Sequence, residues 1–302
     1  MEILGYLASV GTSFFFSTSS IFFTFAGRKV GSPTVNRIRL LLAFLVIITL
    51  HTLAYGMPLP INAEPFRWVM LGISGFIGLV LGDAFLFQAY VMIGPRLSLL
   101  LLSLAPVLTV ILAWLFLNER LEAQELLGIA LAISGIAYVV SDSKAGNESA
   151  VAKPGSREYV IGILFGLGGA IGQAVGLIFS KVGLEGDFPP LSGNVIRLTS
   201  AVICMWVATL VMGQAVSTFR KMKEQPDALK YILAGALMGP TLAVTMGLYS
   251  VQLIPTGIAS TLQSLMPIFL IPISYFFFKE SPTRRGIIGT MIALVGTAIL
   301  FL

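Results

Sequence analysis

Residues 104–135 read LAPVLTVILAWLFLNERLEAQELLGIALAISG, and residues 265–296 read LMPIFLIPISYFFFKESPTRRGIIGTMIALVG. Laid side by side, Pro106 falls on Pro267, Glu119 on Glu280, Gly128 on Gly289 and Gly135 on Gly296. The same constant offset extends back without a gap to Gly78 over Gly239 and forward to Val140. Further upstream, after a short shift in register, Asn36-Arg37-Ile38-Arg39-Leu40 matches Asn194-Val195-Ile196-Arg197-Leu198. The chain is thus two copies of one hydrophobic unit, the usual build of a secondary transporter.

Composition sets the class. Hydrophobic residues make up 56% and charged residues only 11%, with mean hydropathy +0.93. A soluble domain carries roughly 25% charged residues, so this chain is expected to be an all-α integral membrane protein. The formal charge of +5 fits basic residues gathered in loops on one side of a bilayer, without a nucleic-acid partner. One cysteine, Cys204, excludes an internal disulfide, and the lone His51 reads as a packed or headgroup-level side chain. No Lys or Arg precedes Arg28, so residues 4–26 read as a first spanning helix, not a cleaved leader.

A helix needs about 20 mostly apolar residues to cross the hydrocarbon core. Ten spans are expected: 4–26, 34–55, 67–90, 96–117 and 122–140, then 158–180, 192–213, 229–250, 256–278 and 284–302. Gly94-Pro95 and Ile254-Pro255 mark turns among them. This divides the chain into repeats at 1–141 and 158–302, joined by a polar linker at 142–157. Five spans is an odd number, so the second copy enters the membrane upside down as an inverted repeat. Loops after odd-numbered spans hold most of the basic residues, Arg28, Lys29, Arg220, Lys221 and Lys223 among them. The positive-inside rule then places both termini outside the cytoplasm.

Glycines recur four residues apart at Gly78/Gly82, Gly162/Gly166, Gly168/Gly172/Gly176 and Gly235/Gly239. Small residues at that spacing let helices approach closely in lipid, where apolar side chains gain nothing by associating; any of them can also line a cavity. Pro106 and Pro267 stand mid-span in the fourth helix of each copy, where a proline kinks a helix, and are gating-hinge candidates or static bends.

Charge inside a span is costly and marks function by default. Asp83 is the carboxylate deepest in a span, and Arg39 and Arg197 hold equivalent places early in the second helix of each copy. Arg39 and Asp83 enter from the same membrane side to a similar depth of roughly 8–10 Å, which allows an ion pair. Val244 stands where Asp83 would repeat, leaving Arg197 without a counter-ion. In one reading Asp83 titrates to couple protons while Arg39 or Arg197 holds a solute anion. In the other, Arg39–Asp83 is a permanent clasp and Arg197 snorkels to headgroups. Gln88, Gln173, Tyr249, Gln252 and Gln263 add hydrogen-bonding groups along a pathway. No phosphate loop, HExxH, Cys/His cluster or GxSxG motif occurs, so neither an enzyme nor a cofactor or metal site is expected.

The segment from Gly82-Asp83 through Pro106 to Leu117-Asn118-Glu119-Arg120, then Gly128 and Gly135, resembles the drug/metabolite transporter superfamily, specifically its EamA-type ten-helix members. The second copy carries the same resemblance from Ile254-Pro255 through Pro267 to Lys279-Glu280, Gly289 and Gly296. The resemblance implies two inverted five-helix bundles around a central cavity in the cell membrane. It also implies export of amino-acid-like or drug-like solutes, driven by protons or exchanged solute. Its members are drawn with both termini cytoplasmic, opposite to the charge bias here. A monomer suffices for such a basket. An anion carrier for nucleotide sugars or phosphate esters is the alternative within transport. A non-transporting sensor or assembly partner is the alternative outside it.

Overall fold

The computed structural model describes residues 1–102, 104–140, 156–266, 268–269, 272 and 283–300. Every element among them is helical. The first copy contains α1 (Glu2–Val30), α2 (Ser32–Tyr55) and α3 (Pro65–Gly75), then a π-helical stretch, π1 (Phe76–Gly82). It continues with α4 (Asp83–Leu102), α5 (Ala105–Leu117) and α6 (Ala123–Val140). The second copy contains α7 (Arg157–Gly183), α8 (Pro190–Val211), α9 (Ala215–Glu224) and α10 (Asp227–Ala236). It ends with π2 (Leu237–Ala243), α11 (Val244–Leu253), α12 (Thr256–Gln263) and α13 (Arg284–Leu300). Six of the described helical runs are long and apolar enough to cross a membrane: 2–27, 32–55, 65–89, 157–183, 190–211 and 227–253. The chain is a multi-pass membrane protein.

The two π-helical stretches stand at the same offset that relates Gly78 to Gly239, so the repeat seen in the letters is also a repeat of backbone irregularity. Packing repeats as well. The first helix of each copy lies against the third span of the other: α1 on α10–π2–α11, and α7 on α3–π1–α4. Equivalent helices also pair, α2 with α8 and α6 with α13, while α3 packs on α8 as α10 packs on α2, and α7 on α5 as α1 packs on α12. Exchanging the copies maps this set of contacts onto itself, as a pseudo-twofold axis requires.

The paired glycines make the α6–α13 contact possible. A Cβ on Gly135 would stand 2.4 Å from the Ala293 nitrogen and 2.6 Å from the Gly289 carbonyl oxygen. A Cβ on Gly296 would stand 2.4 Å from the Ala132 nitrogen and 2.7 Å from the Gly128 carbonyl oxygen. Backbone meets backbone here, which no side chain larger than hydrogen permits.

The fourth spans are broken, though not as the prolines implied. Pro106 does not kink a helix interior. The chain breaks just before it, at Leu104, and Pro106 sits in the first turn of α5, where its missing N–H leaves no bond unmade. The second copy breaks at the equivalent place, with Ser264 and Leu265 in a turn after α12. Pro267 lies outside the described residues. Gly94-Pro95 does not interrupt the helical backbone, yet the chain reverses there. Against α7, Phe85 packs on Gly168 and Ile93 on Gly162, but Leu101 returns to Gly166. Ile254, by contrast, is fully extended before Pro255.

One element falls where a loop was expected. The α9 helix crosses between α8 and α10, with Arg37 of α2 bonding Thr218 (2.9 Å) and Gln214. Phe219 stacks on Trp206 at 5.3 Å between centroids.

Candidate functional site

The contact of α7 with π1 sets the site. A Cβ on Gly172 would lie 2.8 Å from Gly82 Cα, and one on Gly176 would lie 3.1 Å from Gly78 Cα. Two small-residue stripes therefore face each other, and the polar side chains above and below them are drawn into one column. The π turn aligns that column. The Asp83 N–H bonds the Gly78 carbonyl five residues back, so Asp83 stands one turn beyond Gly78.

At one end of the column, the Asp83 carboxylate is held on both oxygens. Oδ2 meets Arg39 Nη2 in an ion pair, and Oδ1 accepts from Gln173 Nε2 at 3.0 Å. Arg39 donates Nε to Asn36 Oδ1 at 2.7 Å. Its guanidinium lies 5.5 Å from the Phe23 ring and 5.4 Å from the Phe87 ring. The side chains of Arg39 and Asp83 are only 11% and 13% exposed. Low exposure strengthens their attraction and equally raises the cost of leaving either alone.

At the other end stands Arg197, 6% exposed. It does not snorkel. Nη1 donates to Ser180 Oγ at 2.6 Å, and Ser180 shares a bond with Ser74 at 2.7 Å. Both serine oxygens also lie within hydrogen-bond distance of the Gly176 carbonyl, at 2.8 and 2.5 Å, so two hydroxyl protons are shared among three contacts. A Cβ on Gly78 would be 3.5 Å from Arg197 Nη2, an ordinary contact distance, so the guanidinium packs directly over the glycine. Among the described residues no carboxylate forms a salt bridge with Arg197.

The two copies differ sharply at this point. The bond from Arg39 Nε to Asn36 Oδ1 has no equivalent in the second copy: Arg197 Nε and Asn194 Oδ1 are both buried without a partner. Asn194 instead turns its amide toward π2, donating to the Pro240 carbonyl at 2.9 Å and to Thr245 Oγ1 at 2.9 Å. Pro240 stands inside π2, and the Asn194 amide ties α8 to this irregular stretch. The column thus contains two guanidiniums and one carboxylate.

The other side chains singled out from sequence are dispersed. Gln263 bonds Ser250 Oγ at 3.0 Å and the Gly247 carbonyl at 3.3 Å, tying α12 to α11. Gln252 donates to the carbonyls of Leu184 and Phe188, so it fastens the α7–α8 connection. Gln88 and Tyr249 are exposed and stand apart from the column. His51 is buried, with ring nitrogens 2.6 Å from the Met57 carbonyl and 2.9 Å from Ser192 Oγ. Sequence reasoning missed Ser74 and Ser180, although each continues the four-residue stripe of its neighbour, Gly78 or Gly176.

A hydroxyl face on α1 was also missed. Ser13 donates to the Leu262 carbonyl, while the single hydroxyl protons of Thr12 and Ser17 lie between carbonyls of α1 itself (Ala8, 2.8 Å; Ser13, 2.7 Å) and those of Ala243 (3.2 Å) and Met266 (2.9 Å). The carbonyls outside α1 lie where π2 ends and where the fourth span of the second copy breaks. Backbone groups freed inside a membrane need such partners.

Comparison with known proteins agrees with this architecture. The EamA-like transporter family profile matches residues 3–141 and, a second time, residues 160–302. Among curated protein sequences none matches the chain. A solved crystal structure 17% identical in sequence superposes with a TM-score of 0.76, covering 98% of this chain and 95% of that one. At that identity the likeness shows the fold alone. The double profile match covers nearly the whole chain, and the chain belongs to the EamA-like transporter family.

Proposed function

We propose that the chain is a ten-helix secondary transporter of the cell membrane that exports small organic metabolites, amino-acid-like or drug-like, by alternating access. The observation that carries this reading is the matched interruption of both copies: π1 with π2, and the break at Leu104 with that at Ser264 and Leu265. Irregular backbone at equivalent depth in two inverted repeats gives each half the same hinge, so each can adopt the other's conformation and open the opposite face. The break ahead of Pro106 is the hinge proposed for the first copy. Asp83 is the proposed coupling group, exchanging protons or solute against the Arg39 contact. A monomer contains all of these parts.

A second reading is favoured by one specific feature, the buried Arg197 without a salt-bridged carboxylate. A solute with a carboxylate or phosphate group would supply the missing charge. Counterflow in proteoliposomes tests both readings. Inhibition by carboxylate or phosphate anions, lost in Arg197→Met, supports the anion carrier. Inhibition by neutral or zwitterionic compounds alone supports the metabolite exporter. Absence of counterflow with every class tested contradicts both.

A further inference from the structure

The end of α5 makes a contact that neither the repeat nor the polar column explains. Asn118 adopts a left-handed backbone, φ 54°, which ends the helix and turns the next residue back toward the protein. Asparagine tolerates that conformation better than most residues. Glu119 is thereby aimed across the repeat boundary. Its Oε2 accepts the Thr256 backbone N–H at 2.7 Å, and its Oε1 accepts the Thr256 hydroxyl at 2.7 Å. Thr256 is the first residue of α12, whose free N–H groups and dipole favour a carboxylate. The contact therefore joins the fourth span of one copy to the fourth span of the other.

Its location is equally specific. Glu119 lines a cavity of about 670 Å³ where the ends of α5, α7 and α11 meet the start of α12. Lys181, Val182, Glu185 and Gln252 line the same cavity. Lys181 is bonded to the Val251 carbonyl, so the cation present does not displace Thr256 from the carboxylate.

The sequence does not repeat the Glu119–Thr256 pair in the opposite orientation. At the repeat's offset, Glu280 corresponds to Glu119 and Pro95 to Thr256. Proline has neither a backbone N–H nor a hydroxyl to offer. Lys279 replaces Asn118 as well. Glu280 lies outside the described residues.

We propose that Glu119 is the gate latch of the transporter's α5–α12 face: its carboxylate holds the two fourth spans together, and that face opens when the Thr256 contact parts. The inference rests on the alternating-access reading. It adds a built-in bias, since the Glu–Thr pair that latches this face is not repeated in the other copy's sequence.

The test uses the full chain in lipid nanodiscs with Cys204→Ser and a single reporter, Val182→Cys, in the cavity. The rate of labelling by a membrane-impermeant maleimide reports opening. Glu119→Ala and Thr256→Pro should each raise it about tenfold, equivalent to ~1.4 kcal/mol. Thr256→Pro copies the first repeat and suits a first helical turn, so it remains informative if loss of Glu119 harms folding. Glu185→Gln, which removes a charge from the same cavity, should leave the rate unchanged. Unchanged labelling in both latch variants, or an equal rise in Glu185→Gln, overturns the proposal. Counterflow is measured separately on the same proteins. Absent flux in the parent contradicts the transport reading, while the labelling result still decides the latch.

Discussion

Cutting the Arg39–Asp83 pair should cost less in the double variant than the two single losses added together. The two side chains are no more than 13% exposed, and each would be left as an isolated buried charge if its partner were removed. Breaking a buried pair in that way costs about 3–5 kcal/mol. At an effective dielectric of 20, two unit charges about 4 Å apart attract by about 4 kcal/mol, which agrees in size. Arg39→Ala and Asp83→Ala are each expected to lose about that much, with the arginine also forfeiting its contacts to Phe23 and Phe87. The double variant should fall short of the summed losses by about 2–3 kcal/mol. Equilibrium unfolding in detergent micelles, with all four proteins in one denaturant series, measures the cycle. Strictly additive losses would refute the clasp, because they would mean the two charges are independently solvated.

Other expectations follow from the same contacts. Gly135→Leu and Gly296→Leu should each abolish the α6–α13 crossing and show as loss of monodisperse protein on size exclusion; Gly27→Ala, where an added carbon meets nothing within 4 Å, should elute normally. Asp83→Asn should abolish flux driven by a pH gradient while leaving counterflow exchange, and a surviving pH dependence would remove Asp83 from coupling. Arg197→Met replaces a buried charge lacking a salt bridge by a side chain of similar length, so thermal stability should hold or rise while transport of anionic solutes fails. Retained anion transport in that variant would leave Arg197 a purely structural role.

Much of this architecture is legible in the letters because membrane packing uses few residue types. Gly128, Gly135, Gly289 and Gly296 repeat at one offset, and the structure uses all of them at one crossing. Counting residues along two helices puts Arg39 and Asp83 at equal depth, and they meet. Pro106 misleads, since proline within a long apolar run ordinarily signals a kink. The run is in fact two helices, and the proline begins the second. The α9 helix is hidden by composition, because three basic residues in ten read as loop. The direction of Gln252 and Gln263 is not readable either. Other polar residues share their helices, Thr256, Ser260 and Thr261 beside Gln263 and Thr245 and Ser250 beside Gln252, so the sequence does not reveal which neighbour each faces.

That the molecule moves solutes is the central claim, and a flux assay addresses it most directly. Purified protein in proteoliposomes would be loaded with a broad metabolite pool and followed by mass spectrometry, with and without an imposed pH gradient. Protein-dependent movement of one compound class is expected, accelerated by the gradient, with that acceleration lost in Asp83→Asn. No movement of any compound by well-folded protein across that pool would contradict the claim.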